Sequence, residues 1–212
     1  MHDFYYVTKK EAAPVRTNLE KLIREVQDIV RKNFTFQYEF VGSYARNMIT
    51  CDKKSNIGYD FDVNLYVNDD NEEYKPNEIR KILKAAIDKV VKKYGYDYCE
   101  DSTRVLTIKV KDTKNSRILH SCDFCIVYNC EDGQQQYIRF NKKHNTYTWE
   151  YQGEGFDLLP QKISWLKENG YWSDVREYYI EKKNNNKNLD KHSRSIFAET
   201  VTEMCQKYGY YM

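Results

Sequence analysis

Apolar residues along this chain switch repeatedly between a helical period and a period of two. After Pro14 the spacing is helical: Leu19, Leu22, Ile23, Val26, Ile29 and Val30 share one stripe, and Thr17 with Glu20 has the spacing of a capping box. Phe36, Tyr38 and Phe40 then alternate with polar residues, which predicts a strand ending at Gly42-Ser43. Residues 50–58 are polar and predict a loop. Tyr59 to Val67 predicts a second strand, and the polar run from Asn68 to Glu73 predicts a solvated turn. A second helix starts at Pro76-Asn77, carries Ile79, Ile82, Leu83, Ala86, Ile87, Val90 and Tyr94 on one face, and stops at Gly95. Two long strands follow. Leu106, Ile108 and Val110 mark the first, Ile118 to Tyr128 the second, and a polar turn over 112–116 joins them. A weaker hairpin spans Tyr137 to Tyr151.

From Pro160 the pattern is helical to the end. Ile163 and Leu166 precede Gly170, Val175, Tyr178 and Tyr179 follow Ser173, and Ile196, Thr200, Met204 and Tyr208 precede Gly209. An asparagine-rich loop over 184–188 interrupts the series. The plan this predicts is α+β. A mixed β-sheet body with helices on one face occupies residues 1–155, and a small helical domain occupies residues 156–212.

Charge and composition narrow the function classes. Lys and Arg number 34 against 32 Asp and Glu, so a net charge of +2 on 212 residues provides no global field for coating a nucleic acid. Residues 75–117 carry a local excess, twelve basic against six acidic, which reads first as the solvated face of a helix bearing Lys81, Lys84, Lys92 and Lys93. No apolar run approaches the ~20 residues that span a bilayer, and the first residues lack the basic and apolar regions of a signal peptide. The expectation is a cytoplasmic protein with no membrane partner and reduced cysteines. The 20 tyrosines suggest aromatic surface half in water, suited to base stacking or no more than a compositional habit. Cys122 and Cys125 fall on opposite faces of one strand and no second pair has zinc spacing, so they read as small buried hydrophobes. The four histidines form no recognisable metal or catalytic pair.

The chemistry concentrates in three separated pieces. Asp60 and Asp62 lie two apart on a predicted strand, so the pleat turns both carboxylates to one face, opposite Phe61, Val63 and Leu65. Like charges so placed repel unless a cation lies between them, and Mg²⁺ prefers such hard oxygen donors. Val41-Gly42-Ser43-Tyr44-Ala45-Arg46 leaves a strand with a glycine for close backbone approach and a serine whose hydroxyl and N–H suit phosphate oxygens. Asp123 interrupts the apolar run from Cys122 to Val127, where an acid is costly unless paired or metal-bound.

Taken together, these pieces resemble the nucleotidyltransferase superfamily of DNA polymerase beta type. Its pattern is an apolar residue with Gly-Ser, a short helix, Asp-x-Asp on a strand and a third acid on a later strand. Gly42 to Arg46 resembles the Gly-Ser-x-Ala-Arg form of the minimal nucleotidyltransferases. The long strand pair before Asp123 is more similar to the oligoadenylate and cyclic-nucleotide synthases. The resemblance implies an enzyme that moves a nucleotidyl group from a nucleoside triphosphate to an acceptor hydroxyl, another nucleotide, an RNA end, a small molecule or a protein side chain, and releases pyrophosphate. It implies two Mg²⁺ ions, or Mn²⁺ in their place, held by Asp60, Asp62 and Asp123, which are also the catalytic residues. Gly42 and Ser43 would bind the nucleotide, and Lys191 and Ser195, loosely similar to a Lys…Ser stretch in the tail of those enzymes, would close over the triphosphate. The sequence departs from the pattern in three places. Sixteen residues separate Ser43 from Asp60, Asn47 stands where the minimal enzymes carry glycine, and Tyr59 precedes the first acid. A module that has kept the fold for nucleotide or RNA binding and lost turnover is the alternative.

Overall fold

A computed structural model describes residues 2–69, 72–153, 158–188 and 190–210 of the chain. In chain order the elements open with β1 (Phe4–Tyr6), α1 (Lys9–Val30), β2 (Thr35–Val41), α2 (Gly42–Ala45), β3 (Thr50–Asp52) and β4 (Tyr59–Asn68). Next come α3 (Pro76–Val90), β5 (Cys99–Asp101), β6 (Val105–Asp112), β7 (Arg117–Asn129), β8 (Gln135–Asn141) and β9 (Thr146–Tyr151). Three helices end the chain, α4 (Leu158–Glu168), α5 (Trp172–Asn185) and α6 (Ser193–Lys207). Among the described residues no helix is long and apolar enough to cross a membrane, and all six cysteines are free.

The described residues form two compact units. The larger, Val7–Ile49 with Asn56–Gln152, is built on a mixed sheet in the order β2-β4-β7-β6-β5, with β8 and β9 continuing from β7. β4 and β7 run parallel at its centre and the other pairs are antiparallel. On one face the alternation buries Phe61, Val63, Leu65 and Val67 of β4, Cys122, Phe124 and Ile126 of β7, and Leu106 and Ile108 of β6. α1 and α3 pack against each other and cover that face with Leu19, Leu22, Ile23 and Val26, and Ile79, Leu83, Ala86 and Ile87. Each Val, Leu, Ile or Phe among them contributes about 1.5–3 kcal/mol on leaving water, so this layer holds the unit together. The opposite face of the same strands carries the polar residues, the acids among them.

The smaller unit, Met1–Tyr6 with Thr50–Ser55 and Gly153–Met212, joins α4, α5 and α6 to an antiparallel ribbon of β1 and β3. Asn184 on α5 clasps β1, accepting from the Phe4 N–H at 2.6 Å and donating to the Phe4 carbonyl. Lys183, almost wholly buried, donates to Thr50 Oγ1 at 2.7 Å with its ammonium over the Phe4 ring. The sequence places residues 50–58 in a loop, yet residues 50–52 are a strand. Three residues are too few to display a period of two, and their partner lies more than forty residues earlier. The expected boundary at 155/156 lies outside the described residues, as do positions 70 and 71 of the expected turn after β4.

α1 also starts earlier than expected. Its capping box is Thr8 with Glu11, each side chain bonded to the other's backbone N–H, and Pro14 lies inside the helix rather than at its start. A proline so near the beginning forfeits one hydrogen bond, and the long apolar stripe that follows outweighs it.

Candidate active site

The site begins where β2 leaves the sheet. Val41, its last residue, is the register partner of Asp62 on β4, so the chain turns into α2 directly beside that acid. Gly42 takes a φ of +65°, and a Cβ there would overlap the Asp62 carboxylate and come within 2.8 Å of its Cγ. The glycine is thus required both by its backbone and by the space. Tyr44 anchors the turn: its ring lies 5.3 Å from Phe61 and 5.5 Å from Phe40, with the Arg16 guanidinium over both Tyr44 and Phe40. α2 closes with a left-handed residue, Asn47 at φ +56°, and the Asn47 and Met48 N–H groups return to the Tyr44 and Ser43 carbonyls. This closing motif accepts asparagine as well as glycine, which accounts for the departure at that position.

Gly42→Ala tests the close approach. A left-handed alanine costs about 1–2 kcal/mol, and the methyl must also displace Asp62. The variant is expected to melt at a lower temperature and to lose most of whatever activity depends on Asp62. Unchanged melting and unchanged activity together would detach Gly42 from the site.

The acids meet through strand register. Asp62 and Asp123 are direct partners on the parallel strands β4 and β7, and Asp60 is the partner of Ser121. Neighbouring strands lie about 4.8 Å apart, so Asp60, Asp62 and Asp123 share one small area of the polar face. Ser121 Oγ donates to Asp60 Oδ1, and Thr107 Oγ1, from the β6 position opposite Asp123, donates to Asp123 Oδ1 at 2.6 Å. Lys109 lies on the same face, its ammonium held by Glu100 at 2.6 Å. Beneath the acids, Cys122 is fully buried. Burial pushes its thiol well above the ordinary range, and the charges of Asp123, Asp62 and Asp60 add to the effect. Asp60 is exposed while Asp62 and Asp123 are half-buried.

Burial also raises the Asp123 carboxyl above the ordinary carboxylate range, against the Thr107 hydrogen bond and the nearby Lys109 charge, which lower it. An acid with a raised folded pKa binds more protons folded than unfolded in the interval between the two values. Its contribution to stability is therefore greatest below the unfolded value of ~3.9 and is lost as pH rises through the raised one. Without divalent cations, Asp123→Asn is expected to melt above the wild type at pH 7, with the difference closing near pH 3. A difference independent of pH would give Asp123 no such cost.

The expected site residues divide between the units. Gly42, Ser43, Asp60, Asp62 and Asp123 belong to the sheet unit, whereas Lys191 and Ser195 belong to the helical one. Lys191 pairs with Glu199 at 2.6 Å, and Ser195 is exposed in the first turn of α6. Among the described residues no three His, Cys, Asp or Glu side chains form a group that could hold a metal ion as they stand. The three carboxylates nonetheless supply the oxygen donors that a hard divalent cation prefers, from adjacent strands. Sequence reasoning missed Thr107, Ser121, Lys109 and Glu100 on this face. For Ser121 a signal existed, since it lies two residues before Asp123 on one strand.

No family model matches the sequence, and no curated protein matches it. Solved structures do. The chain is similar to the Vibrio cholerae cyclic AMP-GMP synthase DncV, described as a prokaryotic cGAS homolog, with a TM-score of 0.66 and 12% identity over 92% of this chain and 67% of that one. In complex with nonhydrolyzable GTP the same synthase matches with a TM-score of 0.67 and 13% identity, again over 92% of this chain and 67% of that one. The CD-NTase CdnG of Bradyrhizobium diazoefficiens in complex with GTP matches with a TM-score of 0.51 and 12% identity, over 83% of this chain and 43% of that one. At these identities the likeness establishes the fold, which is that of the nucleotidyltransferases. The chain spans between 43% and 67% of the length of these proteins.

Proposed function

We propose that this chain is a metal-dependent nucleotidyltransferase, which transfers a nucleotidyl group from a nucleoside triphosphate to an acceptor hydroxyl and releases pyrophosphate. One observation carries the reading: Asp62 and Asp123 are register partners at the centre of the sheet, with Asp60 one pleat away and Gly42 pressed against Asp62. An unrelated surface patch has no reason to combine three acids from two strands with a glycine that only a close backbone approach requires.

Asp60 and Asp62 would hold two Mg²⁺ ions, or Mn²⁺, with Asp123 as the third ligand. Such ions, when bound, supply charge neutralisation at the phosphates and lower the pKa of a coordinated hydroxyl. The chain's own residues do the rest. Gly42 and Ser43 bind the terminal phosphates with backbone N–H groups and the Ser43 hydroxyl. Asp123, one oxygen engaged by Thr107, would serve as the third ligand through the other and so help the acceptor hydroxyl give up its proton. For the acceptor we propose a second nucleotide. Support comes from the DncV structures, one of which holds the linear intermediate 5′ pppA(3′,5′)pG.

The test is incubation with the four α-labelled nucleoside triphosphates and Mg²⁺ or Mn²⁺, with no added acceptor. Pyrophosphate release together with a labelled dinucleotide or longer product supports the reading. Release that requires an added hydroxyl compound keeps the transferase and changes the acceptor. Nucleotide binding with no pyrophosphate under any combination would replace it with the binding-module alternative.

A further inference from the structure

Resting on the nucleotidyltransferase reading, we propose that the Arg104 guanidinium, stacked on Tyr137, is the platform on which the base of the acceptor nucleotide lies.

Register puts this pair on the face that carries the acids. Tyr137 on β8 is the partner of Val127 on β7, and Val127 lies two pleats beyond Asp123 on the same side of that strand. Arg104 immediately precedes Val105, the β6 partner of Cys125, which is one pleat beyond Asp123. Arg104 is three residues before Thr107, the partner of Asp123, or about 10 Å along the strand, within the span of one nucleoside. The turn at Gly42-Ser43 lies on the opposite side, beyond β4, which leaves the β6 side of Asp123 for the acceptor.

The guanidinium is held in a way that keeps its charge. Arg16, Arg80, Arg117 and Arg139 of the same unit each pair with an acid. Arg104 instead donates through Nη2 to Gln152 Oε1 at 2.7 Å. Gln152 Nε2 donates in turn to Gln135 Oε1 at 3.2 Å, and Gln135 Nε2 to Asn129 Oδ1 at 2.9 Å. A chain of neutral amides thus orients the cation without neutralising it.

One face of the guanidinium plane is already occupied by an aromatic ring, with 4.0 Å from the Arg104 Cζ to the centre of Tyr137. Tyr137 is only 8% exposed, whereas Arg104 is exposed, so the second face of the plane is the one open to a ligand. A planar, delocalised cation stacks on flat groups, and the flat group of a nucleotide is its base. The Tyr137 hydroxyl has no hydrogen-bond partner among the described residues and is available to the base or ribose edge. Stacking reads no base edges, so the platform takes any of the four bases.

The experiment measures binding of adenosine, guanosine, cytidine and uridine by equilibrium dialysis without divalent cations, with ribose phosphate as the base-free control. Wild type is compared with Arg104→Lys, which keeps the charge and loses the plane, and with Arg104→Gln. An azidoadenosine is then photocrosslinked to wild type and the labelled peptide identified, a readout that depends on neither variant. Wild type is expected to bind all four nucleosides, and both variants to bind them about tenfold or more weakly. The label is expected at or beside residues 104 and 137. Wild-type affinity in Arg104→Lys overturns the platform, because charge alone would then suffice, and so does unchanged affinity in both variants. A label confined to other peptides, or a wild type that binds no nucleoside, overturns it as well. Each of these leaves the transferase reading standing, which pyrophosphate release decides separately. Nucleoside binding that follows Arg104 in a protein that never releases pyrophosphate overturns the transferase reading and keeps the base site.

Discussion

Asp62→Asn is expected to lower nucleotidyl transfer roughly a thousandfold or more while leaving the melting temperature unchanged or raised. The magnitude follows from several kcal/mol of transition-state charge stabilisation that bound ions supply, at about 1.4 kcal/mol per factor of ten. The asparagine keeps the size of the side chain against Gly42 but removes the central charge of the three acids, next to Asp60 in sequence and Asp123 in register, which on the proposed reading is a metal ligand. The stability expectation has a separate cause. Three carboxylates on neighbouring strand positions repel in the metal-free protein, and removing the central charge relieves that repulsion. Calorimetry without divalent cations, paired with pyrophosphate release, checks both halves. A melting temperature that falls by many degrees would mean the Asp62 carboxylate supports the fold, and the lost activity would then say nothing about a metal.

The parts of this site that were legible in the sequence are those written within one strand or one turn. Asp60-Phe61-Asp62 declares its two faces by the pleat alone, and an acid amid Cys122, Phe124 and Ile126 stands out against its neighbours. Gly42-Ser43 at a strand exit announces a turn. What joins them is register, and register is not written locally: nothing in residues 105–112 says that Thr107 faces Asp123 rather than Cys125. The same limit hid β3, whose partner β1 lies more than forty residues away. Asn47 is the instructive case. As a letter it breaks the expected pattern, but as a conformation it keeps it, because the position requires a left-handed residue and asparagine is among the few that adopt one. Pro14 misled in the opposite direction, since the residue that usually marks a helix start lies within a helix already begun at Lys9.

Arg80 shows most plainly what patterning conceals. Between Ile79 and Lys81 on a helix rich in lysine it reads as one more solvated charge, yet it is 0% exposed. Its guanidinium donates through Nε to Asp101 at 2.8 Å, through Nη1 to the Ile138 carbonyl at 2.9 Å, and through Nη2 to the Val105 carbonyl at 2.9 Å and the Ser102 carbonyl. Tyr147 closes the group, donating to the other Asp101 oxygen at 2.9 Å with its ring near the guanidinium. One side chain thereby ties α3 to the start of β6 and to β8. Arg80→Met would take the guanidinium donors from three backbone carbonyls and leave the Asp101 carboxylate, buried beside them, with the Tyr147 hydroxyl but no cation. Removing one partner of a buried pair costs about 3–5 kcal/mol, and for a chain of this length each kcal/mol lowers the melting temperature by roughly 2–4 °C. The expected fall is on the order of 10 °C. Arg80→Lys should recover little of it, because an ammonium cannot reproduce a planar fork that reaches four acceptors. Since β6 also carries Thr107, the same variant assayed well below its melting temperature separates fold from chemistry. Turnover close to wild type there would confine Arg80 to stability, and a melting temperature equal to wild type would contradict the arrangement of bonds around it.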